Sequence, residues 1–99
     1  MKIYLSGKIT GTDDYMERFA NAETKLAAKG YNVINPAKEN AHFPVDTPWS
    51  VYMGESLKML CNADGILLLD GWKQSRGANI EFDVAMKMKK QIYLEGELI

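Results

Sequence analysis

The sequence predicts a small three-layer α/β domain, a parallel sheet of about four strands with helices on both faces. Three observations predict it. Short apolar runs alternate along the chain with longer segments whose apolar residues recur at helical spacing. Each of the first three runs ends in turn residues: Gly7 to Gly11, Asn35-Pro36, and Asp70-Gly71. The most apolar run, Gly65-Ile66-Leu67-Leu68-Leu69, leads through a turn rich in Gly and Ser into a helical pattern. Open α/β sheets place their ligands at such junctions, outside the carboxyl ends of the strands.

In chain order, Lys2 to Ser6 reads as a short buried strand and Gly7-Lys8-Ile9-Thr10-Gly11 as the tight turn after it. Thr12, Asp13 or Asp14 can cap the first helix, whose opening turn suits acidic residues. Met16, Phe19, Ala20, Leu26 and Ala27 carry that helix to about Lys29, and Gly30 is a natural stop. Tyr31-Asn32-Val33-Ile34 is a second strand, ended by Asn35-Pro36. The stretch from there through Asp46 holds His42 and Phe43 and shows no period, so it reads as a loop; long loops in small domains are often lids. Thr47-Pro48 resembles an N-cap followed by proline at the first helical position. Met53, Leu57, Leu60 and Cys61 mark the buried side of the second helix, with Ser56 between them. Gly65 to Leu69 is the third strand, and Arg76 to about Lys90 the third helix. Gln91 to Leu94 is the fourth strand and Glu95 to Ile99 a tail. Strand–helix alternation implies right-handed crossovers. A strand order of 2-1-3-4 would put the switch point between the first and third strands. The Gly7–Gly11 and Asp70–Gly77 turns would then open on one edge.

Composition narrows the functions. The 99 residues make one domain, spanning residues 1–99. A chain of this size buries only about 60–65% of its unfolded surface, so association with further copies would help it. A net charge of -1 gives no electrostatic reason to expect nucleic acid. Lys87, Lys89 and Lys90 read as the solvated end of a helix. The single cysteine, Cys61, excludes an internal disulfide and a cysteine metal cluster, and reads as a small core residue. No residues have metal-ligand spacing, and no cofactor is expected. No apolar run approaches the ~18 residues that span a membrane. Lys2-Ile3-Tyr4-Leu5 runs straight into the fold rather than forming a signal peptide, which suggests a cytoplasmic protein.

Glu81 is the informative residue. On a helix from Arg76 to Lys90, Arg76, Asp83, Lys87 and Lys90 share a polar face, with Asp83 and Lys87 paired at i,i+4. Ala78, Glu81, Val84, Ala85 and Met88 share the face that meets the sheet. Glu81 is thus a carboxylate on a buried stripe, leaning toward the helix start where a ligand would lie. Buried carboxylates are rare unless paired or working. The plain alternative is that it caps a backbone N–H or pairs with a lysine. The Gly7–Gly11 turn lacks both the Walker spacing and the third glycine of a dinucleotide fingerprint, and by itself signals only a tight turn.

Taken together, the motifs are more specific. Ile3-Tyr4-Leu5-Ser6-Gly7-Lys8-Ile9-Thr10-Gly11, then Asn35-Pro36, Ala63-Asp64 and Ser75-x-Gly77-x-x-x-Glu81 resemble the nucleoside 2-deoxyribosyltransferase superfamily, including its nucleotide N-hydrolases. The closest resemblance is to a short phage- and bacteria-borne branch of unknown function, through Gly71-Trp72-Lys73-Gln74-Ser75-Arg76-Gly77-Ala78-Asn79-Ile80-Glu81. The resemblance implies a flavodoxin- or Rossmann-like fold that binds a nucleoside or its 5′-monophosphate. It places Glu81 on the family's catalytic glutamate, which attacks the anomeric carbon and forms a glycosyl-enzyme, as in a retaining glycosidase. It places Tyr4 on the tyrosine that holds that glutamate. Gly7, Lys8, Ile9, Thr10 and Gly11 fall on the turn that receives a 5′-phosphate in the hydrolases, and Ser75 and Gly77 on the other half of that cradle. Backbone N–H groups, hydroxyls and a helix start suit an anion, and Lys8 adds charge. The superfamily completes its sites with a neighbouring subunit, which implies a homodimer or larger homo-oligomer.

One position departs from the pattern. The family carries an aspartate eight residues before the aspartate that opens the third strand, and it helps protonate the leaving base. Counting back from Asp64 lands on Ser56, and serine is a poor general acid. The neighbouring Glu55 points about 100° away on a helix. Trp49, Tyr52 and Trp72 are candidates to stack on a base, or are core residues. Asp70 either binds a sugar hydroxyl or caps its turn, and His42 is either a ligand contact or a solvated side chain. Three functions follow: an N-glycosidic hydrolase or deoxyribosyltransferase, a nucleotide-binding or sensor module that has lost turnover, or an interaction domain in which Glu81 is only structural.

Overall fold

A computed structural model describes residues 1–99. Four parallel strands form one sheet: β1 (Lys2–Ser6), β2 (Asn32–Ile34), β3 (Gly65–Leu68) and β4 (Gln91–Leu94), in the order β2-β1-β3-β4. Crossover helices join them: α1 (Tyr15–Ala28), α3 (Trp49–Cys61) and α4 (Arg76–Lys87). Two one-turn helices, α2 (Pro36–Glu39) and α5 (Glu95–Leu98), complete the chain. The expected class and strand order are those observed. In register, Ile3 faces Val33 on one side and Gly65 on the other, and Leu67 lies between Leu5 and Tyr93.

Side-chain alternation along the strands builds two cores. Ile3, Leu5, Leu67 and Leu69 pack on Phe19, Ala22 and Leu26, one stripe of α1. Tyr4, Ile66 and Leu68 face the other way and meet Leu60, Ala63 and Ala85. Two turns need glycine. Gly71 has φ +86°, and a Cβ on Gly7 would lie 3.0 Å from the Leu69 side chain.

Several local expectations are corrected. The stretch read as a loop after Asn35 begins with α2, whose start is fixed by the Asn35 side chain accepting from the Lys38 N–H at 3.2 Å; one turn is too short to show a period. Pro48 takes the N-cap place itself, so α3 starts at Trp49 without a side-chain cap. Asp14 occupies the N-cap of α1 but makes no capping bond. α4 stops at Lys87, short of Lys90, because the chain turns left-handed at Lys89, φ 58°. Cys61 is exposed, one position past the buried Leu60, with its sulfur 3.8 Å from that of Met88. Met16 and Met88 are exposed, as are Ala20 and Ala27, while Ala22 takes a core place on α1. The tail folds as α5, and Leu98 and Ile99 pack on the α1-side core of the same chain. No helix is long and apolar enough to cross a membrane.

Candidate functional site

Alternation on β1 also builds the site. Tyr4 and Ser6, two residues apart, both leave the sheet toward α4. α4 answers with Ala78, Glu81 and Ala85, its buried stripe. The Tyr4 hydroxyl donates to Glu81 Oε2 at 2.5 Å, and the Ser6 hydroxyl donates to Oε1 at 2.6 Å. Glu81 is 6% exposed. Neither a lysine nor a backbone N–H holds it; two hydroxyls do.

Burial pushes the Glu81 carboxyl up to about 7, while the bonds from Ser6 and Tyr4 pull the other way by favouring the charged form. Burial, and then the neighbouring Glu81 charge, raise the Tyr4 phenol well above its ordinary value, so Tyr4 keeps its proton and remains a donor. The Ser56 hydroxyl pulls Tyr4 slightly back. Ser56 is itself buried and accepts from Asn40 Nδ2 at 3.2 Å.

Above Glu81 lies a cleft of about 740 Å³. Both turns expected to converge do line it: Gly7 to Thr10 from one side, Ser75 and Gly77 from the other. Ser75 is the N-cap of α4, its hydroxyl accepting from the Ala78 N–H at 3.1 Å. Asn79 locks the turn before it, donating to the carbonyls of Ser75 at 2.7 Å and Lys73 at 3.0 Å. The helix therefore starts at a fixed place, with its N-terminal N–H groups at the cleft.

Not every expected residue arrives. Gly11 shapes the turn through its φ of +83° but does not line the cleft. Asp70 and Trp72 lie in a separate hollow of about 300 Å³ at the end of β3. The short helical turn Trp72–Gln74 carries the Trp72 ring away from Glu81 and onto Phe82, with centroids 4.9 Å apart. The Asp70 backbone is held on both sides, its N–H by Glu95 at 2.8 Å and its carbonyl by Arg18 at 2.5 Å. His42 is exposed, stacks on Phe43 and bonds the Glu39 carbonyl at 2.9 Å. Glu55 pairs with Lys58 at 3.1 Å and is not part of the lining.

Three features escaped the sequence reading. Ser6 was legible, since it sits two residues after Tyr4 on the same strand face. Asn40 was not, because its contact with Ser56 depends on the unforeseen α2. The third is Arg76, whose guanidinium lies 3.9 Å over the Trp49 ring at the cleft. Trp49 and Tyr52 both line the cleft, and Tyr52 is braced edge-on by Phe43 at 5.2 Å.

The fold is that of the deoxyribosyltransferase-like α/β domains. A 2-deoxyribosyltransferase from the psychrotolerant bacterium Bacillus psychrosaccharolyticus, described as a biocatalyst for nucleoside synthesis, superposes with a TM-score of 0.76 at 18% identity. The match covers 95% of this chain and 71% of that one. By sequence, the chain belongs to the family DUF4406, a domain of unknown function, which it matches over residues 1–94. No curated protein matches it by sequence.

Proposed function

We propose that the domain binds a nucleoside or nucleoside 5′-monophosphate and cleaves or transfers its N-glycosidic bond, with Glu81 as nucleophile. The observation that carries this reading is the buried Glu81 carboxylate, gripped by two hydroxyls at the base of an aromatic-lined cleft. Ionised, Glu81 attacks the anomeric carbon through an oxocarbenium-like state and forms a glycosyl ester. Tyr4 and Ser6 position it and share its charge, being aimed before substrate arrives. Gly7, Lys8, Ile9, Thr10, Ser75 and Gly77 bind the 5′ end, where N–H groups and positive charge suit a phosphate.

The test is a hydrolysis and exchange assay on deoxynucleosides and their 5′-monophosphates, with and without a second base, followed by chromatography. Wild type releases base, and Glu81→Gln loses activity by at least about 10³-fold, as expected when a nucleophile is removed. Because the attacking form is ionised, kcat/KM rises with pH through about 7 and then levels off. A non-catalytic nucleotide-binding module is the second reading, favoured by Ser56 standing where a proton donor would act. It predicts thermal stabilisation by nucleotide, no product, and little loss of binding in Glu81→Gln.

A further inference from the structure

We infer that the cleft is built for N-glycosides whose base leaves without receiving a proton, with pyridinium glycosides of a sugar phosphate as the substrate class. The inference rests on the proposed nucleophilic role of Glu81 and on the side chains that face it.

Displacement at the anomeric carbon has two requirements. Something must attack, and the departing nitrogen must accept the bonding pair. For a neutral purine the second requirement calls for a proton, normally from a second acid. This chain places one carboxyl group in the cleft. Glu81 cannot attack as an anion and donate a proton in the same step. Its ionisable company is Tyr4, Tyr15, Tyr52, Lys8 and Arg76. Phenol, ammonium and guanidinium groups are weak acids and so weak proton donors to a leaving base. Tyr4 is further committed, its hydroxyl already donating a hydrogen bond to Glu81. Asp70 lies in the other hollow, Glu55 is paired with Lys58, and His42 stands outside the lining.

A pyridinium base removes the need. As Glu81 Oε bonds to C1′, the C1′–N bond breaks and its electron pair returns to the ring nitrogen. The cationic ring departs as a neutral pyridine, with no proton transferred. Water then bonds to C1′ as the ester C1′–O bond breaks. That step frees the sugar, restores the carboxylate and releases one proton to solvent.

The walls agree with this substrate. Trp49, Tyr52 and Tyr15 line the cleft. Trp49 carries one flat cation, the Arg76 guanidinium, 3.9 Å over its ring, which shows that the walls of this cleft accept a planar cation on an aromatic side chain. Lys8 and Arg76 supply two positive charges for the phosphate of such a substrate.

The experiment compares nicotinamide N-glycosides of ribose 5-phosphate and 2-deoxyribose 5-phosphate with the adenine, uracil and 5-fluorouracil glycosides of the same sugars. Wild type and Glu81→Gln are assayed in parallel, with melting curves confirming that both fold. The expected result is Glu81-dependent cleavage whose kcat/KM favours nicotinamide over adenine by about 10²–10⁴-fold, the contribution a general acid makes. Cleavage of 5-fluorouracil, the more acidic leaving group, should outpace that of uracil. Glu81-dependent cleavage of adenine as fast as nicotinamide, or equal rates for the two uracils, would overturn the inference and leave the nucleophile standing. If wild type cleaves nothing faster than Glu81→Gln does, both the inference and the nucleophilic role fall together.

Discussion

The two faces of the sheet are made by the same strands and do opposite things. On the α1 side, Ile3, Leu5, Leu67 and Leu69 close on Phe19, Ala22 and Leu26, an apolar seal. On the α3 and α4 side, the alternate residues of β1 are Tyr4 and Ser6, and they meet a carboxylate. β1 thus contributes stability with one set of side chains and a polar site with the other. Glu81 weakens the second face at neutral pH, because a buried charge costs free energy that two hydrogen bonds only partly offset.

The contrast is broken most severely from the apolar side. Leu67 is fully buried between Leu5 and Tyr93. Leu67→Ala should cost about 2–5 kcal/mol by lost transfer energy and a residual cavity. Denaturant titration measures it, and a loss below about 1 kcal/mol would show that the α1 face is not the one holding the fold. Glu81→Gln, by contrast, should leave stability unchanged or raised near pH 8 while abolishing turnover.

A change of pH sharpens the comparison when wild type is set against Glu81→Gln, because the difference isolates the buried carboxyl of one face. Below pH 4.5 Glu81 is protonated in both the folded and unfolded chains. As pH rises, the unfolded carboxyl ionises first, while the folded one holds its proton to about 7. The folded state binds more protons across that window, so stability falls as pH rises through it. The fall is about 3 kcal/mol at ~1.4 kcal/mol per unit. It should appear as the difference between wild type and Glu81→Gln in denaturant midpoints from pH 4.5 to 8. A difference that stays flat would mean that Glu81 ionises as an ordinary surface carboxylate.

The closed face was easier to read from sequence than the open one. Apolar runs and helical spacing specify strands and helices locally, and alternation implies a parallel sheet; the order 2-1-3-4 is an expectation that alternation does not dictate, and it is the order observed. Glu81 stood out because it interrupts an apolar stripe, and Tyr4 and the two turns came from motif resemblance. What stayed hidden depends on tertiary distance. Trp72 looked like a site residue from its place in the turn, yet one short helical turn sends its ring to Phe82. Cys61 looked buried because helical phase is uncertain by one residue at a helix end. Asn40 reaches Ser56 only because Asn35 caps a helix too short to leave a pattern.

Ser6 is the finest test of the difference between the faces, since its hydroxyl is the smaller of the two that β1 aims at Glu81. Removing it in Ser6→Ala leaves Tyr4 as the one remaining donor to Glu81. The charged form of Glu81 then loses more than the neutral form, so its pKa moves further up. The loss should be about 1–2 kcal/mol at pH 8, where Glu81 is ionised, in line with one bond to a charged group. Near pH 4, where the carboxyl is protonated, the loss should be smaller. The rising limb of the pH–rate profile should shift to higher pH in step. An equal loss at both pH values would show that the Ser6 hydroxyl serves packing alone and that Tyr4 holds the carboxylate unaided.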